Sequence, residues 1–176
     1  LVERIDVHLD VTGKTISAKF SGGSNLWTRF AADLRLTTDD LSGDGQVELA
    51  GLQVPRLGPI LGMQDGWPVP EAVVNARLNL KMRGLSDAHA EVSIDAQKVA
   101  LQFGKAHLDL VGLAIEAAAK TKGETVEVIL RRAAVDSPRI ALSAKFTKGE
   151  TGGCALESET GEVDLLALQA VGQALA

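Results

Sequence analysis

Apolar and polar residues alternate one by one along much of the chain. In residues 4–11, Ile5, Val7 and Leu9 alternate with charged residues, and after a turn at 12–14 the alternation resumes through Ile16 and Phe20. Because successive side chains of a strand point to opposite faces, this period of two predicts strands with one apolar and one polar face. The two segments together predict a β-hairpin.

The same alternation predicts further strands in most of the remaining chain. They are 26–36, 46–49, 74–82, 88–96, 99–103, 106–115, 125–131 and 139–146. The turns predicted between them include 39–45, 84–87, 104–105, 120–124 and 136–138. This spacing predicts a mainly β fold, a curved antiparallel meander shaped as a groove or an open barrel.

Two segments interrupt the alternation. Residues 51–70 contain Pro55, Pro59, Pro68 and Pro70, which are incompatible with a central strand, so we expect a Pro/Gly-rich loop there with a short helical turn near 57–61. In the tail, apolar residues from 163 to 174 fall at helical spacing after an acidic start. They predict a C-terminal amphipathic helix over 161–175.

Composition restricts the function classes. The chain has 176 residues, 45% hydrophobic and 23% charged, with a net charge of -5, as expected for a single domain over 1–176 that does not bind nucleic acid. It has no apolar run long enough for a membrane helix. Because it begins at Leu1 rather than at a methionine, we expect either a mature product or a segment of a larger protein. The single cysteine, Cys154, excludes an internal disulfide framework.

Candidate chemistry is sparse. His8, His89 and His107 fall at polar positions of predicted strands, without the spacing of a metal site. Residues 40–45 match the opening of a calcium loop, but Gly51 stands where the bidentate glutamate belongs, so a β-turn is favoured. We therefore predict no catalytic residues, no metal, no cofactor and no enzymatic activity.

The predicted apolar face is the candidate functional surface, because such a face must be covered by a second sheet, a helix, a partner or a ligand. Its aliphatic composition suits a surface for acyl chains. It suits equally the closed core of a structural or adhesive β-sandwich that binds protein partners. The candidate lipid-facing residues are Ile5, Val7, Leu9, Val11, Ile16, Phe20, Leu34, Leu36, Val74, Leu78, Leu80, Met82, Val92, Ile94, Leu108, Leu110, Val126, Val128, Ile140 and Leu142.

Three segments carry a family resemblance. The alternating stretches Val-Val-Asn-Ala-Arg-Leu-Asn-Leu-Lys-Met-Arg at 73–83 and Asp-Ala-His-Ala-Glu-Val-Ser-Ile-Asp-Ala at 87–96, followed by Gly-Glu-Val-Asp-Leu-Leu-Ala-Leu at 161–168, resemble the AsmA-like family of bacterial envelope proteins. That resemblance implies an elongated periplasmic β-sheet with a hydrophobic groove, anchored in the inner membrane by an N-terminal helix and moving phospholipid toward the outer membrane.

The resemblance also implies a location and a partner. We expect a segment of a larger family member in the periplasm of a Gram-negative bacterium, and the predicted closing helix points to its C-terminal part. Its expected partner is a phospholipid or another acyl-chain lipid, and its membrane contacts are expected in parts of the parent protein outside this chain. The predicted function is non-enzymatic lipid handling in outer-membrane maintenance.

Overall fold

The fold is one antiparallel sheet in which the strands lie side by side in chain order. The computed structural model describes residues 2–58, 71–84, 86–103, 106–149, 153–164 and 169. Its ten strands form a single sheet ordered β1 to β10, open rather than closed into a barrel. This confirms the predicted meander. The strands are β1 Val2–Thr12, β2 Thr15–Ser24, β3 Arg29–Thr37, β4 Gly43–Gln53, β5 Glu71–Met82, β6 Asp87–Phe103, β7 Ala106–Lys122, β8 Thr125–Val135, β9 Ile140–Lys148 and β10 Cys154–Val163.

The first hairpin follows its predicted pattern closely. β1 and β2 pair from Thr12 opposite Thr15 through Val7 opposite Phe20. Gly13 lies between them with φ 59°, a left-handed conformation that glycine adopts without the steric cost of a side chain. The turn and the alternation therefore select the same register.

The predicted strands 88–96 and 99–103 are a single strand, β6, which contains a bulge. Val74 of β5 lies opposite Ala96, whereas Ala72 lies opposite Val99, so β6 carries one extra residue over that interval. A bulge of this kind lets the chain continue while its alternation shifts by one position. Val99 thereby joins the face of Ala96, and the change of parity in the sequence marks a bulge rather than a turn.

A second irregularity lies beside it on β7. Leu110 and Leu113 are three residues apart, yet both pack against the same buried cluster. Gly112 lies between them with φ 68°, and the backbone N–H of Val111 donates to the carbonyl of Ser137 at 2.9 Å. β7 and β8 run on to Lys122 and Val135, well beyond their predicted ends, through their pairing with neighbouring strands.

The C-terminal amphipathic helix predicted over 161–175 is not supported. Residues 161–163 are the end of β10, which pairs with β9 from Cys154 opposite Lys148 to Val163 opposite Ile140. Of residues 164–176 the structure describes only Asp164 and Gln169, so the rest of the predicted helix lies outside the described residues. β10 was missed because its positions before Val163, Leu156 excepted, are polar or small.

The predicted loop at 51–70 begins later than expected. β4 continues to Gln53, and a 3-10 turn, η1, follows at Val54–Leu57, which shares Leu57 with the turn predicted near 57–61. Residues 59–70 and the turn residues 104–105 lie outside the described residues. Pro55 near the start of η1 explains the position of the turn, because proline fits the first turn of a helix but not a strand ladder.

Packing is thin, as a single layer requires. Among the described residues, the buried hydrophobic ones are alanines and one valine: Ala32, Ala72, Ala96, Val99, Ala100, Ala118 and Ala134. The surface area is 11899 Å², whereas a compact protein of 18.5 kDa exposes about 8,200 Å². Within the described residues, no helix is long and apolar enough to cross a membrane.

Candidate functional site: the apolar face of the sheet

Strand pairing brings the predicted apolar positions onto one face of the sheet. Val7 lies opposite Phe20, Phe20 opposite Ala32, Ala32 opposite Val47, and Val47 opposite Leu78. Residues that lie directly opposite in an antiparallel pair point to the same side. One row of apolar side chains therefore crosses five strands without interruption.

The same rule assigns every candidate lipid-facing residue to this side. The row of opposite residues continues from Leu78 through Val92, Ala117 and Leu130 to Ala144. We call this side the apolar face. Its candidate members are Ile5, Val7, Leu9 and Val11 on β1, Ile16 and Phe20 on β2, Leu34 and Leu36 on β3, Val74, Leu78, Leu80 and Met82 on β5, Val92 and Ile94 on β6, Leu108 and Leu110 on β7, Val126 and Val128 on β8, and Ile140 and Leu142 on β9.

The register adds residues to the apolar face that the sequence did not single out as candidates. Ile115, Leu130, Phe146 and Leu156 share it, since Ile115 lies opposite Ile94 and Leu156 opposite Phe146. Leu156 could have been found from the alternation of Leu156 and Ser158 with Glu157 and Glu159. That pattern is weak because, of the two residues that it assigns to the apolar face, only Leu156 is a large hydrophobic residue.

The apolar face is open to solvent over much of its area. Val128 and Leu142, on interior strands, keep 40% of their surface exposed, and on the edge strands Ile5 and Leu156 keep 65% and 72%. An interior side chain is shielded by neighbours on two strands and an edge side chain by neighbours on one. The gradient of exposure is therefore the one expected when neighbours in the same layer supply nearly all the shielding.

The apolar face is large for an exposed surface. Ten strands leave nine gaps, which at about 4.8 Å each give a width of roughly 43 Å. With about 33 Å along strands of ten residues, one face spans on the order of 1,400 Å². The largest apolar patch of a typical soluble monomer is about 300 to 600 Å², and larger patches mark binding surfaces.

One end of the apolar face is better packed than the rest. Ala72, Ala96 and Val99 are buried there, and Val54 of η1 packs against them together with Leu110 and other neighbours. The bulge in β6 is what turns Val99 into this cluster. η1 thus covers the apolar face locally, where the N-terminal end of β5 lies beside the C-terminal part of β6.

The opposite face is polar and is connected by ion pairs between strands. Their N–O distances are 3.0 Å for Lys19–Asp33, 2.8 Å for Arg77–Glu48, 2.7 Å for Arg131–Glu91, 2.8 Å for Lys98–Asp109 and 2.9 Å for Lys145–Glu127. Arg131 and Glu91 lie on β8 and β6, on either side of β7, and the other pairs join neighbouring strands. Each pair adds a modest stabilisation and opposes a shifted register.

These pairs shift the pKa values of their members. The hydrogen bond from Arg131 lowers the pKa of Glu91, that from Lys98 lowers the pKa of Asp109, and that from Lys145 lowers the pKa of Glu127. The same contact with Glu127 raises the pKa of Lys145. The carboxylates are therefore held in their charged forms, as expected for solvated ion pairs on a strand surface.

Two of the histidines and the acidic turn make local contacts with polar groups. His89 and His107 lie beside Glu91 and Asp109, with Nε2 to carboxylate distances of 3.3 and 2.9 Å. In the turn between β3 and β4, the Asp40 carboxylate accepts a hydrogen bond from the backbone N–H of Ser42 at 2.9 Å, and hydrogen bonds from Ser42 lower its pKa. In the part of the chain that the structure describes, no group of three or more His, Cys, Asp or Glu side chains is arranged to bind a metal ion.

Shallow depressions in the described surface lie on the polar face. One, of about 460 Å³, is lined mainly by polar-face residues of β1 to β4 such as Lys19 and Gln46. Another, of about 660 Å³, is lined mainly by polar-face residues of β2 to β6 such as Arg35 and Lys81. These two depressions therefore do not belong to the apolar face.

Comparison of the chain with protein-family models, with curated protein sequences and with solved structures finds no match.

Proposed function

We propose that this protein is a non-enzymatic lipid-handling module that holds acyl chains against the apolar face of its sheet. The observation that supports this most directly is the exposure of that face. Large aliphatic side chains such as Leu34, Val128 and Leu142 remain 39%, 40% and 40% exposed on interior strands. Water contact at such positions is unfavourable, and an apolar ligand relieves it.

The energetics of such binding require no specific contacts. Each methylene moved from water to an apolar surface contributes about 0.8 kcal/mol, so several methylenes of one chain suffice for appreciable affinity. A face built from Val, Leu, Ile and Ala can accommodate chains in many positions. This accounts for a candidate site without a catalytic or ligand motif.

The polar face supports the same proposal from the other side of the layer. Its ion pairs, such as Lys145–Glu127 at 2.9 Å, keep one side of a single layer hydrated. The other side is then left for the lipid. In this proposal, which the resemblance to the AsmA-like family supports, the module lies in the periplasm of a Gram-negative bacterium. Its parent protein is anchored in the inner membrane and moves phospholipid toward the outer membrane.

Lipid extraction tests the proposal. Delipidated protein is mixed with vesicles that contain a labelled phosphatidylethanolamine, and the protein is then separated from the vesicles by flotation. We expect labelled lipid to remain with the protein. Protein purified from cells is expected to carry phospholipid detectable by mass spectrometry.

A matched pair of variants locates the binding to one face. Leu78→Lys with Leu142→Lys places two charges on the apolar face, at positions 36% and 40% exposed, and is expected to abolish most of the extraction. Asn79→Lys with Ser143→Lys places the same charges on the other face of the same strands and is expected to leave extraction unchanged. Equal loss in both variants, or no lipid on the unmodified protein in either assay, would overturn the proposal.

A further inference from the structure

β1 is a sheet edge with unusual side-chain exposure. Within the described residues it pairs only with β2, so its outer backbone groups have no strand beside them. Val7, Leu9 and Val11 are 59%, 62% and 62% exposed. Exposed edges of this length are the sites at which one chain adds a strand to another.

Basic and acidic residue types alternate along the polar side of β1. They run Arg4, Asp6, His8, Asp10, so basic and acidic residues follow each other at every second position. Read in the opposite direction, the same series begins with an acid. A strand with this property is complementary to an antiparallel copy of itself.

We propose that this protein forms a symmetric dimer in which β1 pairs antiparallel with β1 of a second copy, centred on Val7. In this register the numbers of opposite residues sum to 14. Arg4 then lies opposite Asp10 of the second copy and Asp6 opposite His8, and the two-fold axis repeats both pairs. Val7 lies opposite itself, as an isologous interface requires.

The neighbouring registers are disfavoured by charge. A register with sum 12 places Arg4 opposite His8 and Asp6 opposite Asp6, and one with sum 16 places Asp6 opposite Asp10. Like charges directly opposite in a sheet are destabilising. The sum of 14 also gives complete overlap of the strand Val2–Thr12 with its copy. The bulge between Val2 and Arg4 lies outside the charged pairs.

The other edge of the sheet does not share this property. On its polar side β10 carries Glu157 and Glu159, so pairing with a second β10 sets acids against acids. Pairing with β1 sets two acids against a strand side on which Asp6 and Asp10 are acidic as well, so fewer of its opposite pairs are attractive than in the β1–β1 register. Charge therefore selects one edge and one orientation, and growth stops at two copies because β1 is consumed on both.

The pairing extends the apolar face. Because opposite residues share a side, Ile5 and Leu9 of one copy join Leu9 and Ile5 of the other on the same face. Shielding from a second neighbouring strand lowers the exposure that these side chains have at the edge. The dimer presents a continuous sheet twice as wide.

Sedimentation equilibrium of the full chain tests the dimer. We expect a concentration-dependent species of twice the 18.5 kDa chain mass. Arg4→Asp converts two attractions into repulsions and is expected to raise the dissociation constant by roughly tenfold or more. Arg4→Asp with Asp10→Arg restores both pairs and is expected to restore the dimer. The exposed control Arg83→Asp changes charge equally and is expected to have no effect. Circular dichroism confirms that each variant is folded.

Crosslinking tests the register independently. In a Cys154→Ser background, Val7→Cys is expected to form an intermolecular disulfide on mild oxidation, whereas Ile5→Cys is not, because position 5 faces position 9. Ile5→Cys with Leu9→Cys is expected to crosslink. A monomer at all concentrations, a dimer indifferent to Arg4→Asp, or crosslinking by Ile5→Cys in preference to Val7→Cys would overturn the proposal.

Discussion

Two valine truncations on the same face measure how open that face is. Val99 is 7% exposed within the packed cluster, whereas Val128 is 40% exposed. Both lie on the apolar face of interior strands, β6 and β8. The loss of intrinsic strand propensity on changing valine to alanine is therefore similar at the two sites, and the difference in burial dominates the comparison.

The expected magnitudes follow from the buried area. Valine to alanine removes two methyl groups, worth about 1.6 kcal/mol when fully buried. At Val99 a residual cavity adds to this, for a total of about 2 to 3 kcal/mol. At Val128 the exposed fraction reduces the transfer contribution to about 1 kcal/mol, and water fills the space at little cost. We expect the two variants to differ by roughly 1 to 2 kcal/mol in the free energy of unfolding.

Urea denaturation followed by circular dichroism measures both values on the delipidated protein, with an unchanged m-value as evidence that the comparison is valid. Equal destabilisation by Val128→Ala and Val99→Ala would refute the reasoning. It would mean that the apolar face over β8 is covered as thoroughly as the cluster near β6, as in the closed β-sandwich that the sequence alone left open.

Two further perturbations test the strand irregularity and the polar face. Gly112→Ala forces an alanine to φ 68° with its Cβ against the Asp136 side chain, which is expected to lower the free energy of unfolding by about 1 to 2 kcal/mol. The control is Gly153→Ala, where an added Cβ meets open space. Equal unfolding midpoints for the two variants would contradict the role of Gly112. Lys145 lowers the pKa of Glu127 from the ordinary 4.5, so the stabilisation by this pair is present above pH 4.5 and is lost as pH falls through the lower folded-state pKa. The urea midpoint is therefore expected to decline below about pH 4.5, and Glu127→Gln is expected to flatten that decline. An identical pH profile in the variant would exclude this pair as a cause.

The sequence predicted which residues are apolar positions of strands, but it did not predict that they form one continuous surface. Alternation identified Val7, Leu78 and Val128 as apolar positions because the period of a strand is two, a local property of the backbone. The local sequence around Val7 and Leu78 does not indicate that the two side chains lie on the same face of the sheet. Strand order and register decide that, and they depend on pairings between distant segments.

The parts that the sequence misjudged each have a physical cause. The shift of parity between Ala96 and Val99 looks like the end of one strand, because a bulge and a turn both break the alternation. Only the ladder with β5 distinguishes them. At the C-terminal end, residues 161–163 fit a helical spacing, yet pairing with β9 makes them strand, since tertiary hydrogen bonds outweigh a weak local preference.

The sequence by itself determined that this protein is a meander of strands with one apolar side and one polar side, because side-chain alternation and glycine-containing turns are local and act within a few residues. Only the tertiary structure decided that the apolar side stays open over much of its area. Whether a face is covered depends on a second layer, and in the described residues every strand lies in the same one. The exposure of Val128 and Leu142, which supports the proposed function, is a property of that layer and of no single segment.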